Sequence, residues 1–166
     1  MPTVQKPLNP STFVVLGDGL TAGAGDFGLS EDLQPHSFPA QAARQMGVPF
    51  TQPIVEGPGI GPVAGFAELP VVLPRQMQTT VMKEFPPAGL FGNVSIPGLR
   101  LADALTRRPT SPLVHRGDHL QSAINLILGL PGLLLPGTQE LPTPVEYATY
   151  RQPTLLLVAL GVFDIL

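Results

Sequence analysis

The sequence predicts an α/β layer arrangement around a parallel sheet, and three observations carry that prediction. Two runs of apolar β-formers, Thr12–Leu16 and Leu155–Leu160, are continuous rather than alternating, as in strands covered on both faces. Between them, apolar residues recur at the spacing of amphipathic helices. A glycine-rich turn, Gly17 to Gly25, follows directly on the first strand, where open α/β sheets put their ligand sites.

Residues 1–11 read as an N-terminal tail and residues 12–166 as one domain. In the first strand Phe13, Val14, Val15 and Leu16 suit a pleated, buried backbone. Ser37 is placed to cap a helix with Pro39 in its first turn, Phe38, Ala42 and Met46 on one stripe, and Gly47 as its stop. Val48 to Pro97 is dense in proline and glycine, so only Phe50–Val55 qualifies as a weak strand and the rest is expected to be loop. Leu99–Arg107 forms a short helix through Leu101, Ala102 and Leu105. Asp118 caps the next helix, in which Leu120, Ala123, Ile124, Ile127 and Leu128 make one stripe before Gly129 ends it. Thr143, Pro144 and Glu146 form a capping box with proline in the first helical position, opening a helix to about Arg151. The second strand follows Pro153 and runs into Gly161, Val162, Phe163 and Asp164. A fully apolar strand needs neighbours and cover, so the sheet is expected to be incomplete at the C-terminus, with self-association through its exposed edge.

Composition narrows the function classes. Charged residues are 13% of the chain against the usual figure of about 25%, and 43% is hydrophobic, which excludes charge-driven disorder. Nine basic residues against twelve acidic ones, with no basic cluster beyond Arg107 and Arg108, leave no phosphate-tracking surface for nucleic acid. The absence of cysteine removes disulfides, a thiolate nucleophile and zinc–thiolate sites. Phe13–Leu16 is too short for a signal-peptide core. Ala123–Leu135 is interrupted by Asn125, Gly129, Pro131 and Gly132 and falls short of the roughly 18 apolar residues of a membrane span. A cytoplasmic chain is the default expectation.

Several short patterns compete for a functional role. Gly17, Gly19 and Gly23 after a strand approximate a dinucleotide fingerprint with one extra residue, but Asp18 would face the pyrophosphate and no acidic residue stands about 20 positions on to hold a ribose. His115 and His119 have metal-ligand spacing only on a continuous helix, which Gly117 breaks; no metal or other cofactor is expected. Arg116–Gly117–Asp118 is an adhesion-type tripeptide of a kind that recurs by chance. His36 is the histidine nearest the glycine-rich turn in sequence, and a loop position before the first long helix accounts for it. Leu126–Leu135 reads as ordinary core or an edge exposed by truncation, with a lid or a lipid-facing surface as the functional alternative.

Taken in order, Gly17-Asp18-Gly19-Leu20-Thr21 after a strand, Asn93-Val94-Ser95-Ile96-Pro97-Gly98, and Gly161-Val162-Phe163-Asp164 after a second strand resemble the three N-terminal blocks of the SGNH, or GDSL, hydrolase family. Gln34–Ala40 and Gln45–Phe50 resemble its lipase or esterase members. The resemblance implies a three-layer α/β/α fold with a parallel sheet, flavodoxin-like in character, and cofactor-free acyl transfer from an ester to water. It makes Gly19 and Gly98 backbone N–H donors of an oxyanion hole, and Gly17, Asp18, Gly161 and Asp164 structural residues of the motifs.

The departures from the family pattern are as specific. Gly19 stands where the family has its nucleophilic serine, so no acyl-enzyme can form. Phe163 stands at the position of the side-chain donor asparagine. The family's Asp-x-x-His block has no counterpart before Leu166. The expectation is an inactive hydrolase relative, either an N-terminal portion of a longer hydrolase or a degenerate form that binds an acyl ester or glycosyl ligand without turnover.

Overall fold

The structure, a computed structural model, describes residues 8–25, 28–56, 83, 90–115, 117–129 and 140–165. Its elements follow in chain order as β1 (Phe13–Gly17), α1 (Gly19–Ala22), α2 (Phe38–Met46), α3 (Leu101–Thr106), α4 (His119–Ile124), α5 (Pro144–Tyr150) and β2 (Leu155–Ala159). Short 3-10 turns occupy Gln34–His36 and Val162–Asp164, and a π-turn, Asn125–Gly129, continues α4. The expected mixture of helix and parallel strand is present. β1 pairs with β2 in parallel, Phe13 opposite Leu155 through Gly17 opposite Ala159.

The other edge of β1 is also engaged. Val15 N–H donates to Gly92 O (2.8 Å), Val94 N–H to Val15 O (2.8 Å) and Ile96 N–H to Gly17 O (3.0 Å), so residues 92–96 run alongside β1 in the same direction. Residues 13, 15 and 17 therefore turn their backbone groups toward this segment, and the alternate residues turn theirs toward β2.

Side-chain alternation along β1 then divides the core. Val14 and Leu16 pack with Val94, Ile96, Ile124, Ile127, Leu128 and Tyr147 on one face. Phe13 and Val15 pack with Ala43 of α2 on the other, where the rings of Phe13 and Phe50 stack with centroids 5.3 Å apart. Burial of such a side chain contributes about 1.5–3 kcal/mol, which is why five consecutive buried residues make β1 the centre of the fold.

The local start and stop signals form as their chemistry dictates. Ser37 Oγ accepts from Ala40 N–H at the head of α2, and Gly47 ends that helix with φ 68°. Thr143 Oγ1 accepts from Glu146 N–H (3.2 Å) while Glu146 Oε2 accepts from Thr143 N–H (3.0 Å), a closed capping box on α5. Asp118 Oδ1 accepts from Gln121 N–H (2.9 Å) at the head of α4.

Two expectations need correction. The second strand is not covered on both faces: its burial alternates, with Leu156 45% and Val158 57% exposed. The helices on the face shared by Val14 and Leu16 pack on β1 rather than on β2, and among the described residues no further strand pairs with β2. Phe50–Val55 is not a strand. The Gln34 side chain grips it instead, donating from Nε2 to Pro53 O (2.8 Å) and accepting from Val55 N–H (2.7 Å), so a buried amide substitutes for a ladder. The expected loop between Glu56 and Leu90 lies outside the described residues except for Lys83, as do Arg116 and the 130–135 part of the leucine-rich segment; Leu126, Ile127 and Leu128 are core.

Candidate functional site

Segment 92–96 lies on one side of β1 and β2 on the other, so the chain changes direction across the sheet at the β1–β2 boundary. Crevices at such a boundary, beyond the C-terminal ends of the strands, are where open α/β sheets bind ligands. The residues there are Gly17, Asp18 and Gly19 after β1, Pro97 and Gly98 after segment 92–96, and Gly161 to Asp164 after β2.

The turn after β1 is tightly built. Asp18 N–H donates to Ala159 O (3.2 Å), Asp18 O accepts from both Thr21 Oγ1 and Ala22 N–H (2.9 Å each), and Asp18 Oδ1 accepts from Leu20 N–H (3.1 Å). Asp18 is 2% exposed; burial raises its carboxyl pKa, and the hydrogen bond from Leu20 partly offsets that rise. At Gly17 a Cβ would overlap Thr21 Oγ1 and sit 2.9 Å from Ala159 O, so only glycine lets the two strands and α1 meet.

Gly19 differs. A Cβ there would meet Ala24 Cβ at 3.4 Å and Pro97 Cα at 3.8 Å, both ordinary contacts, and its φ lies outside the left-handed region. No steric demand explains a glycine at this position. The same distances place Gly19 against Pro97, the residue before Gly98, which adopts φ 83°. Both residues are buried, and among the described residues neither the Gly19 nor the Gly98 N–H donates to a protein acceptor.

The third block is tied in by Asp164. Its carboxylate oxygens accept from Leu101 N–H at 3.2 and 3.1 Å, capping α3, whose own N-cap residue Arg100 supplies no side-chain bond. Gly161 has φ 111°, and Phe163 is half-buried in the turn that follows, with a ring that has no donor. Gly17–Gly19, Pro97–Gly98 and Gly161–Asp164 thus all follow the C-terminal ends of parallel segments at one end of the sheet.

Asn93 is the residue whose role the sequence did not disclose. It is buried, and its Nδ2 donates to Thr21 O (2.9 Å) and Gln52 Oε1 (3.1 Å) while its Oδ1 accepts from Ser95 N–H (3.1 Å). One amide therefore holds the β1–α1 turn against the segment leading to Gly98. Its partners are 72 and 41 residues distant, beyond any spacing rule; a polar residue in an apolar run was the available signal.

Among the described residues no acid–base groups are assembled here. The Oγ of Ser95, two residues from Asn93, is buried and has no hydrogen-bond partner among them, hence no described base to activate it. His36 is exposed in the turn before α2. His115 lies in a loop with Nε2 3.2 Å from Thr110 Oγ1, and Gly117 (φ 86°) separates it from His119 at the start of α4. Among the described residues no three carboxylate or imidazole side chains gather as a metal site, and no helix is long and apolar enough to cross a membrane.

This end of the sheet thus carries two buried residues, Gly19 and Gly98, whose backbone N–H groups have no acceptor among the described residues. Comparison with protein-family models, with curated proteins and with solved structures finds no match for the chain.

Proposed function

We propose that the chain is an SGNH/GDSL-like domain of three-layer α/β/α character whose ester site serves as a binding cradle without turnover. The observation that supports this reading is the packing of Gly19 against Pro97, the residue before Gly98, together with the bond from Leu101 N–H to Asp164. In such a site the carbonyl oxygen of an acyl ester or glycosyl ester accepts hydrogen bonds from the two N–H groups. Attack on the carbonyl carbon needs an Oγ at position 19, a base to take its proton and a third donor for the oxyanion. Gly19 and Phe163 remove the first and third, and one lost donor alone costs about 3 kcal/mol of transition-state stabilisation.

The dinucleotide alternative is less well supported. The Leu20 N–H at the start of α1 is taken by Asp18 Oδ1, and α1 is a single turn of four residues, so the glycine-rich turn offers a pyrophosphate little. The test combines a chromogenic short-chain ester assay with thermal-shift titration of acyl esters. The expected result is no hydrolysis above the buffer rate together with ligand-dependent stabilisation. Enzyme-like hydrolysis abolished by a serine-directed organophosphonate would overturn the loss of turnover, and absence of any thermal shift would overturn the binding reading.

A further inference from the structure

We propose that Asn93 is an N-glycosylation acceptor in the unfolded chain alone, so that a glycan at this residue and the folded state exclude one another. Asn93-Val94-Ser95 has the Asn-x-Ser pattern of an acceptor. No other stretch of the sequence has it: Asn9-Pro10-Ser11 carries the disqualifying proline, and Asn125 is followed by Ile127 in the third place. An acceptor ordinarily sits in a surface loop, where a transferase can reach the amide. Asn93 is instead 1% exposed.

The amide is also committed chemically. In glycan transfer Nδ2 attacks the anomeric carbon of a lipid-pyrophosphate-linked oligosaccharide. An N–C bond forms, the C–O bond to the pyrophosphate breaks, the lipid pyrophosphate leaves, and Nδ2 gives up one of its two protons. In the fold Nδ2 already donates to two acceptors, Thr21 O at 2.9 Å and Gln52 Oε1 at 3.1 Å. A sugar on this nitrogen therefore removes one of those bonds and needs volume where the β1–α1 turn and the Gln52 side chain close on segment 92–96. The bond from Ser95 N–H to Asn93 Oδ1 is the one that transfer leaves chemically intact.

The two halves of the pattern are used unequally. The fold employs the asparagine amide, whereas the buried Ser95 Oγ bonds to no described residue; the transferase requires both side chains. Thr21 and Gln52 precede Asn93 in the chain, so both bonding partners exist when the acceptor emerges and folding competes with transfer from that moment.

Two presentations of the full chain test the exclusion. Folded chain offered to solubilised oligosaccharyltransferase with its lipid-linked donor is expected to keep its 17.5 kDa mass. The same chain translated behind a secretion signal into microsomes, where it meets the transferase before it has folded, is expected to gain one glycan that a peptide N-glycosidase removes, and to lose the protease resistance of the unglycosylated form. Ser95→Ala removes the acceptor pattern and no hydrogen bond to a described residue, so it should stay unglycosylated and protease-resistant in the same microsomes. If that variant does not fold, withholding the lipid-linked donor from the unsubstituted chain makes the same comparison. A glycan on the folded chain, no glycan on the nascent chain, or a glycosylated form as protease-resistant as the unglycosylated one would overturn the proposal.

Discussion

Two glycines two residues apart, Gly17 and Gly19, should respond to the same substitution in opposite directions. At Gly17 an added methyl displaces Thr21, whose Oγ1 bond to Asp18 O is buried, and presses on the Ala159 carbonyl of the neighbouring strand. Overpacking of this kind costs about 1–3 kcal/mol and the lost hydrogen bond about 1 kcal/mol more, so Gly17→Ala should destabilise by about 2–4 kcal/mol. At Gly19 the methyl enters ordinary contact on a backbone that alanine adopts freely, and the reduced entropy of the unfolded chain stabilises by up to about 1 kcal/mol. The gap of about 3 kcal/mol separates the urea midpoints by more than about 1 M at a slope near 2 kcal/mol/M. Far-UV CD is the signal to follow, because the chain has no tryptophan. Equal destabilisation by the two variants would refute the reasoning, and with it the claim that nothing steric holds a glycine at position 19. The same site allows a chemical extension. Gly19→Ser should fold and still fail to hydrolyse esters, because no base stands ready among the described residues; organophosphonate-sensitive turnover in that variant would show that one does.

Other outcomes follow from the same structure. Tyr147 is fully buried, its oxygen accepts from Phe91 N–H (2.9 Å), and burial pushes its pKa up to about 12. The neutral phenol is the form the fold prefers, so this stability is complete below the unfolded value near 10 and lost as pH rises through 12, about 3 kcal/mol over two units. Tyr147→Phe should remove that alkaline step in a pH series of melting curves, and cost about 1–3 kcal/mol at neutral pH by stranding the Phe91 N–H. Thr143→Ala should cost about 1 kcal/mol by opening the capping box, measured by denaturant titration. The bond from Arg108, then that from the Thr143 N–H, hold the Glu146 carboxyl below its usual pKa. Its contribution is present above the unfolded value and lost as pH falls through the lower folded one, so Glu146→Gln should flatten the acid limb of the stability profile.

The parts of the fold legible in the sequence are those governed by neighbours in the chain. Ser37 with Gly47, Thr143 with Glu146, and Asp118 each act within four or so residues of the ends they define, except that Gly47 closes what Ser37 opens. The apolar runs located both strands, but an apolar run does not say which side of a sheet it will occupy. The covered Val14 and the exposed Leu156 sit in the same register and differ only in what packs above them. The cap of α3 comes from Asp164, 63 residues away, and the Tyr147 bond to Phe91 spans 56. Such partners are set by topology, which a single sequence does not display. At the site, the glycine-rich turn after β1 was legible, whereas the Asn93 amide that ties α1 to the 92–96 segment was not.

The pairing of β1 with β2 also orders events during synthesis. Hydrogen bonds between Thr12 and Thr154 close a separation of 142 residues, and the entropy of closing such a loop is on the order of 4 kcal/mol. At about 5–20 residues per second, β1 leaves the ribosome roughly 7–28 s before its β2 partner is made. Segment 92–96 arrives in about half that time, and it engages the opposite edge of β1. The nascent chain can therefore build the Phe13–Val15 face on α2 first and hold β1 by one edge. β2 docks after both, closing the remaining edge of β1 against pairing with a foreign strand.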